Sequence, residues 1–183
     1  MSLPPPHAER QRMHLRRVEF QGFKRGDGLW EVEARLVDTK DQDFPLSSGL
    51  RRPGEAVHDI SVRITFDERM NILDAATCID AAPYMGHCNV DIPDYSGIVG
   101  LNLFDKFPKT VRELFGGRLG CAHITELLMQ LPTAALQTLS SEAVGNFDGD
   151  SPPYHLDRCH ALEFDSEAVK RYYPRWYRTK VDV

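Results

Sequence analysis

The sequence predicts an α+β domain: a meander of about four antiparallel strands followed by helices packed on one face of the sheet. Three observations carry this reading. Apolar residues alternate with polar ones in the first half of the chain, as in Trp30, Val32, Ala34 and Leu36 against Glu31, Glu33 and Arg35, which is the period of a half-buried strand. In the second half they recur at three and four, as in Ile124, Leu127, Leu128, Leu131 and Ala135, which is the stripe of an amphipathic helix. The change of period comes once, after Pro83, so strands precede helices, as in an α+β arrangement.

The first dozen residues, with Pro4, Pro5 and Pro6, read as a flexible arm (1–12), and 13–183 as a single α+β domain. Met13 to Lys24 is long enough to be a first strand. It pairs with the Trp30 strand through Arg25-Gly26-Asp27-Gly28, where Asp and Gly tolerate the positive φ of a tight turn. A polar loop is expected from about Thr39 to Gly54. A third strand then directs Ile60, Val62, Ile64 and Phe66 inward and Ser61, Arg63 and Thr65 outward. Asp67-Glu68-Arg69 is a turn, and Met70 to Ala81 a fourth strand of weaker pattern. Short connections favour pairing between sequential strands.

Pro93 to Leu101 is expected as a short helix. Phe107 to Phe115 is a second, with Pro108 in its first turn and Gly116-Gly117 at its end. The longest starts near Cys121, and Pro132 should kink or restart it. Residues 145–153, rich in Gly, Asp, Ser and Pro, read as a loop. Asp165-Ser166 caps a last short helix through Tyr173, which Pro174 stops.

Composition excludes several classes. A formal net charge of −5 lacks the basic footprint of a nucleic-acid-binding protein. No apolar run is long enough for a transmembrane helix, and Met1 to His14 lacks the apolar core of a signal peptide. A cytoplasmic location is therefore expected. Cys78, Cys88, Cys121 and Cys159 are far apart with no C-x-x-C pair, so they read as free thiols, ligands or a nucleophile.

Reactive side chains gather in a few places. His58-Asp59 opens the third strand, where neighbours point to opposite faces. Asp80-Ala81-Ala82-Pro83-Tyr84, then His87-Cys88, follows the fourth strand. Gly120-Cys121-Ala122-His123-Ile124-Thr125-Glu126 opens the long helix, where unpaired N–H groups lower a thiol's pKa, and His123 and Glu126 share a face. Cys159-His160 lacks the regular spacing of a zinc finger.

These segments together resemble a bacterial family called domain of unknown function 2889. The resemblance rests on Asp27-Gly28-Leu29-Trp30, Leu36-Val37-Asp38-Thr39-Lys40, Gly54-Glu55-Ala56-Val57-His58-Asp59, Asp80-Ala81-Ala82-Pro83-Tyr84 and Gly116 to Leu127. Cys159-His160-Ala161 and Tyr173-Pro174-Arg175-Trp176 extend it toward the end. It covers nearly the whole chain and implies no activity. Val57 to Ala75 also looks like the central hairpin of iron–sulfur cluster scaffold proteins. Arg118-Leu119-Gly120-Cys121-Ala122 resembles their third cysteine motif, R-x-x-C-A, at a helix start. That likeness implies a fold in which two loops and this helix meet at one end. It sets Asp59 on the scaffold's ligand aspartate and Cys121 on its third cysteine. Val57 stands at the first cysteine position and Ala82 near the second, with Cys88 close by. A cluster needs several thiolates, so what the likeness implies is the fold and a polar pocket.

Three functions follow as expectations. A metal-binding protein would hold Zn²⁺ or Fe with Asp59, Cys121 and one of His58, Cys88 or His123. A small metal-free enzyme, acting on a small organic substrate, would use Asp59, Asp80 or His123 as acid or base and Cys121 as nucleophile. A non-enzymatic adaptor would use none of them. The partner expected is a metal or a small molecule, with no nucleic acid and no membrane.

Overall fold

The structure is a computed structural model that describes residues 3–90, 92–140, 150–153 and 155–179. The chain divides into two compact units, Met1–Ser140 and Ser141–Val183.

In the first unit, β1 (His14–Lys24), β2 (Trp30–Lys40), β5 (Ala56–Phe66) and β6 (Ile72–Ala81) form one antiparallel sheet in that spatial order. The expected α+β meander is therefore present. The turn between β1 and β2 is closed by the Arg25 N–H bond to the Leu29 carbonyl, and Gly28 takes φ 87° there, a value that suits glycine. The segment expected as a polar loop instead carries a two-stranded hairpin, β3 (Phe44–Leu46) and β4 (Gly49–Arg51). Three-residue strands are too short to show a period in sequence.

Alternation on β2 and β5 sorts the two faces of the sheet. Val32, Ala34, Leu36, Ile60, Val62, Ile64 and Phe66 are all buried. They pack under α2 (Ala122–Ser140), whose Ile124, Leu127, Leu128, Leu131 and Ala135 are fully buried. The helix contacts β1, β2 and β5. Each such side chain removed from water stabilises the fold by about 1.5–3 kcal/mol. At the far end of α2 the approach to β1 is very close. A Cβ on Gly22 would fall 2.0 Å from Oγ1 of Thr138, so only glycine fits. The helix runs unbroken through Pro132, so the expected restart is absent: Leu131 and Ala135, on either side, are both anchored in the core.

α1 (Phe107–Phe115) has the expected bounds, with Pro108 in its first turn. The expected helix over Pro93 to Leu101 is only a 3₁₀ turn, Tyr95–Ile98, capped by Asp94. The fourth strand starts at Ile72 because Met70 has φ 67° and its N–H bonds to the Asp67 carbonyl, both features of a turn.

In the second unit, α3 (Glu167–Tyr172) is capped by Ser166, whose side chain accepts the Val169 N–H. Leu156 and Val169 are buried and His155 lies 3.0 Å from the Tyr173 hydroxyl. Of the expected 145–153 loop, 145–149 lie outside the described residues, and 150–153 have no regular structure.

Candidate metal centre beneath the long helix

Asp38 is the centre of the site, and the strand pattern explains how it gets there. It continues the inward run Trp30, Val32, Ala34, Leu36 on β2. A carboxylate thus occupies a core-facing position, and only 3% of the residue is exposed. An ionised group so buried needs partners. Arg16, directly opposite on β1, supplies a two-pronged one: Nε donates to Oδ1 at 2.8 Å and Nη2 to Oδ2 at 2.9 Å. His14 Nε2 lies 2.7 Å from Oδ1 and His58 Nδ1 lies 3.1 Å from Oδ2. Ionised carboxylates only accept, so those ring nitrogens carry the protons.

The helix adds the remaining groups. His123, in the first turn of α2, brings Nε2 to 3.9 Å from Asp38 Oδ2, and its ring packs against His58 at a tilt of 35° with centroids 3.9 Å apart. Glu126, one turn on, accepts the third donor of Arg16, Nη1, at 2.7 Å. Cys121 immediately precedes the helix, and its carbonyl accepts the Thr125 N–H. Its sulfur lies 3.9 Å from Nδ1 of His123, and its N–H donates to the Tyr95 hydroxyl at 2.7 Å. One imidazole therefore faces a thiol on one side and the buried carboxylate on the other.

Electrostatics follow from this packing. Burial pushes the Asp38 carboxyl up, but the bonds from Arg16 and His14 outweigh it and hold it well below the usual carboxylate range. Burial, and then the neighbouring His123, lower His58 from its ordinary value despite Asp38, which keeps the ring neutral and able to coordinate. Burial opposes ionisation of Cys121, yet His123 and the N–H groups of Ile124 and His123 bring its thiol below the ordinary value.

One oxygen of Asp38 and one nitrogen from each of His58 and His123 all lie within 4.8 Å of one another. These three are the described residues gathered closely enough to hold a metal ion. Of the residues singled out from sequence, the structure brings together His58 and His123, with Cys121 against His123.

It does not bring the others. Asp59 follows His58 on the strand and so points to the opposite face, where Arg35 grips it at 2.8 and 2.6 Å. Asp80 is on that outer face too, accepting from the Cys78 thiol at 3.3 Å. Cys88 lies in the turns after β6, half-buried against the core, outside the metal-binding group. Cys159 is exposed in the second unit. Sequence reasoning missed Asp38, Arg16 and His14. The available signal was a charged residue at an inward register position of β2.

No helix among the described residues is long and apolar enough to cross a membrane. No curated protein and no solved structure matches the chain, so the likeness to iron–sulfur scaffolds rests on the sequence segments alone. A family described as protein of unknown function (DUF2889) matches residues 14–137, a span that begins at His14 and takes in every residue around Asp38. The chain belongs to that family.

Proposed function

We propose that this protein binds one transition-metal ion, Zn²⁺ or Fe, through Asp38, His58 and His123. The observation that carries the reading is the convergence of two imidazoles, packed against each other, on a buried carboxylate. In a tetrahedral Zn²⁺ site with bonds near 2.0–2.1 Å, neighbouring ligand atoms sit about 3.3 Å apart. Nδ1 of His58 and Nε2 of His123 stand 3.1 and 3.9 Å from Asp38 Oδ2, which brackets that value. To coordinate, Nδ1 of His58 gives up the proton it donates to Asp38 in the metal-free protein, and the neutral ring carries its proton on Nε2 instead. Two histidines and one carboxylate leave coordination positions open, which is the pattern of reactive rather than purely structural sites. Neutral imidazole is the form that binds a metal, and burial favours it at His58.

The test is anaerobic loading with Zn²⁺ or Fe²⁺, removal of free ion and elemental analysis. The expected result is about one ion per chain in the wild type and in Asp59→Asn, with the ion lost from His58→Ala and His123→Ala. A wild type that retains no metal, or a His58→Ala variant that retains it all, ends this reading.

A metal-free reading has its own observation, the Cys121–His123 contact with Asp38 beyond it. In that arrangement His123 takes the Cys121 proton and the thiolate attacks a small electrophilic substrate. Covalent trapping of Cys121 by a substrate-like electrophile, unaffected by chelators and abolished in His123→Ala, would favour it over the metal site.

A further inference from the structure

Arg16 stands in an unusual relation to the proposed metal. Its guanidinium is already the counter-ion of Asp38, with one prong on each carboxylate oxygen. A divalent ion bound at Oδ2 would therefore sit beside a fixed positive charge, and the two would repel. Arg16 also has a second berth. Its Nη1 bonds to Glu126 at 2.7 Å, and Glu126 is on the more exposed side, with 42% of its side chain accessible against 5% for Asp38. The arginine spans two carboxylates, one needed by the metal and one not.

We infer that Arg16 is a built-in competitor for the metal: it neutralises Asp38 when the ion is scarce, and the ion loads only by shifting the guanidinium toward Glu126. This inference rests on the metal reading above. It makes the centre conditional. Asp38 is never left buried without a cation, so the fold survives without metal, and the affinity for the ion is set against the arginine it displaces. The linkage is reciprocal: the factor by which the Arg16–Asp38 pair weakens metal binding is the factor by which bound metal weakens that pair.

The sign of one mutation separates this role from a structural one. A residue that only supports the site loosens metal binding when removed, whereas a competitor tightens it. Zn²⁺ affinity is measured by competition with a chromophoric chelator for the wild type, Arg16→Gln, Glu126→Gln and His58→Ala, with circular dichroism to verify folding. Removing a unit charge next to a divalent ion should tighten binding about ten-fold or more in Arg16→Gln. Glu126→Gln, on an exposed part of the helix, should weaken it several-fold by confining Arg16 to Asp38. If Arg16→Gln is unstable, the Glu126→Gln result decides: unchanged or tighter binding there overturns the inference. Weaker or unchanged binding in Arg16→Gln, with His58→Ala still abolishing it, overturns the competitor role and leaves the metal site standing. If the wild type binds no Zn²⁺, the metal reading itself falls.

Discussion

Two arginine–aspartate pairs lie on opposite faces of the same end of the sheet, in adjacent rungs of the β2–β5 ladder. Asp38 is opposite His58, and Val37 is opposite Asp59. Both carboxylates are gripped by two guanidinium nitrogens. The side chain of Asp38 is 5% exposed and that of Arg16 33%, against 14% for Asp59 and 59% for Arg35. The chemistry is the same and the surroundings differ. On the outer face the pair is one of several on a polar sheet surface, which also carries Arg63 and Glu33, 3.7 Å from each other. On the inner face a helix closes over the pair and adds His123 and Glu126. The contrast shows that the covering helix, rather than the ion pair, makes a site.

The largest effect expected from breaking this comparison is on the inner face. Asp38→Asn removes the buried partner of Arg16 and leaves Glu126 alone to hold it, so the cost is expected to approach, without reaching, the roughly 3–5 kcal/mol of breaking a fully buried pair. Urea denaturation should show the loss. On the outer face, Asp59→Asn and Arg35→Gln should move the denaturation midpoint far less, because the guanidinium of Arg35 is largely in water and such pairs contribute about 0–1 kcal/mol. If the two faces respond alike, the contrast between them is false.

A smaller effect is expected from pH, measured on chelator-treated protein. His58 has its folded pKa lowered, so the unfolded chain binds that proton more readily. Its contribution to stability is present above about pH 6.5 and is lost as pH falls below that value. Asp38 is also lowered, and its contribution is lost only as pH falls below about 4 toward its depressed folded value. Two separate declines should therefore appear on acidification. His58→Gln should remove the upper one and Asp38→Asn should lessen the lower one, to which Asp67 and other lowered carboxyls also contribute, while Asp59→Asn alters neither.

Legibility in the sequence followed length and period. The long strands, α1 and the stripe of α2 were readable because each repeats its pattern over two or more turns or rungs. The β3–β4 hairpin and the 3₁₀ turn at Tyr95–Ile98 were not, since three or four residues carry no period. At the site, His58, Cys121 and His123 stood out by residue type. Asp59 was drawn in with His58 because adjacency in the chain looks like proximity, whereas a strand sends neighbours to opposite faces. Asp38 was hidden for the opposite reason. It is one carboxylate in an alternating strand, and its importance comes from three partners, Arg16, His58 and His123, that lie 20 or more positions away.

The close approach at Gly22 has a consequence for the far end of α2. Two of the places where strand β1 meets the helix are Arg16 beneath Glu126 and Gly22 against Thr138. Six strand residues at about 3.3 Å each span about 20 Å, and twelve helical residues at 1.5 Å each span about 18 Å. The strand and the helix thus measure each other like two rulers laid side by side. Adding or deleting one residue between those marks on either would slide His123 off its seat over the carboxylate, so the spacing of both segments is itself part of the centre.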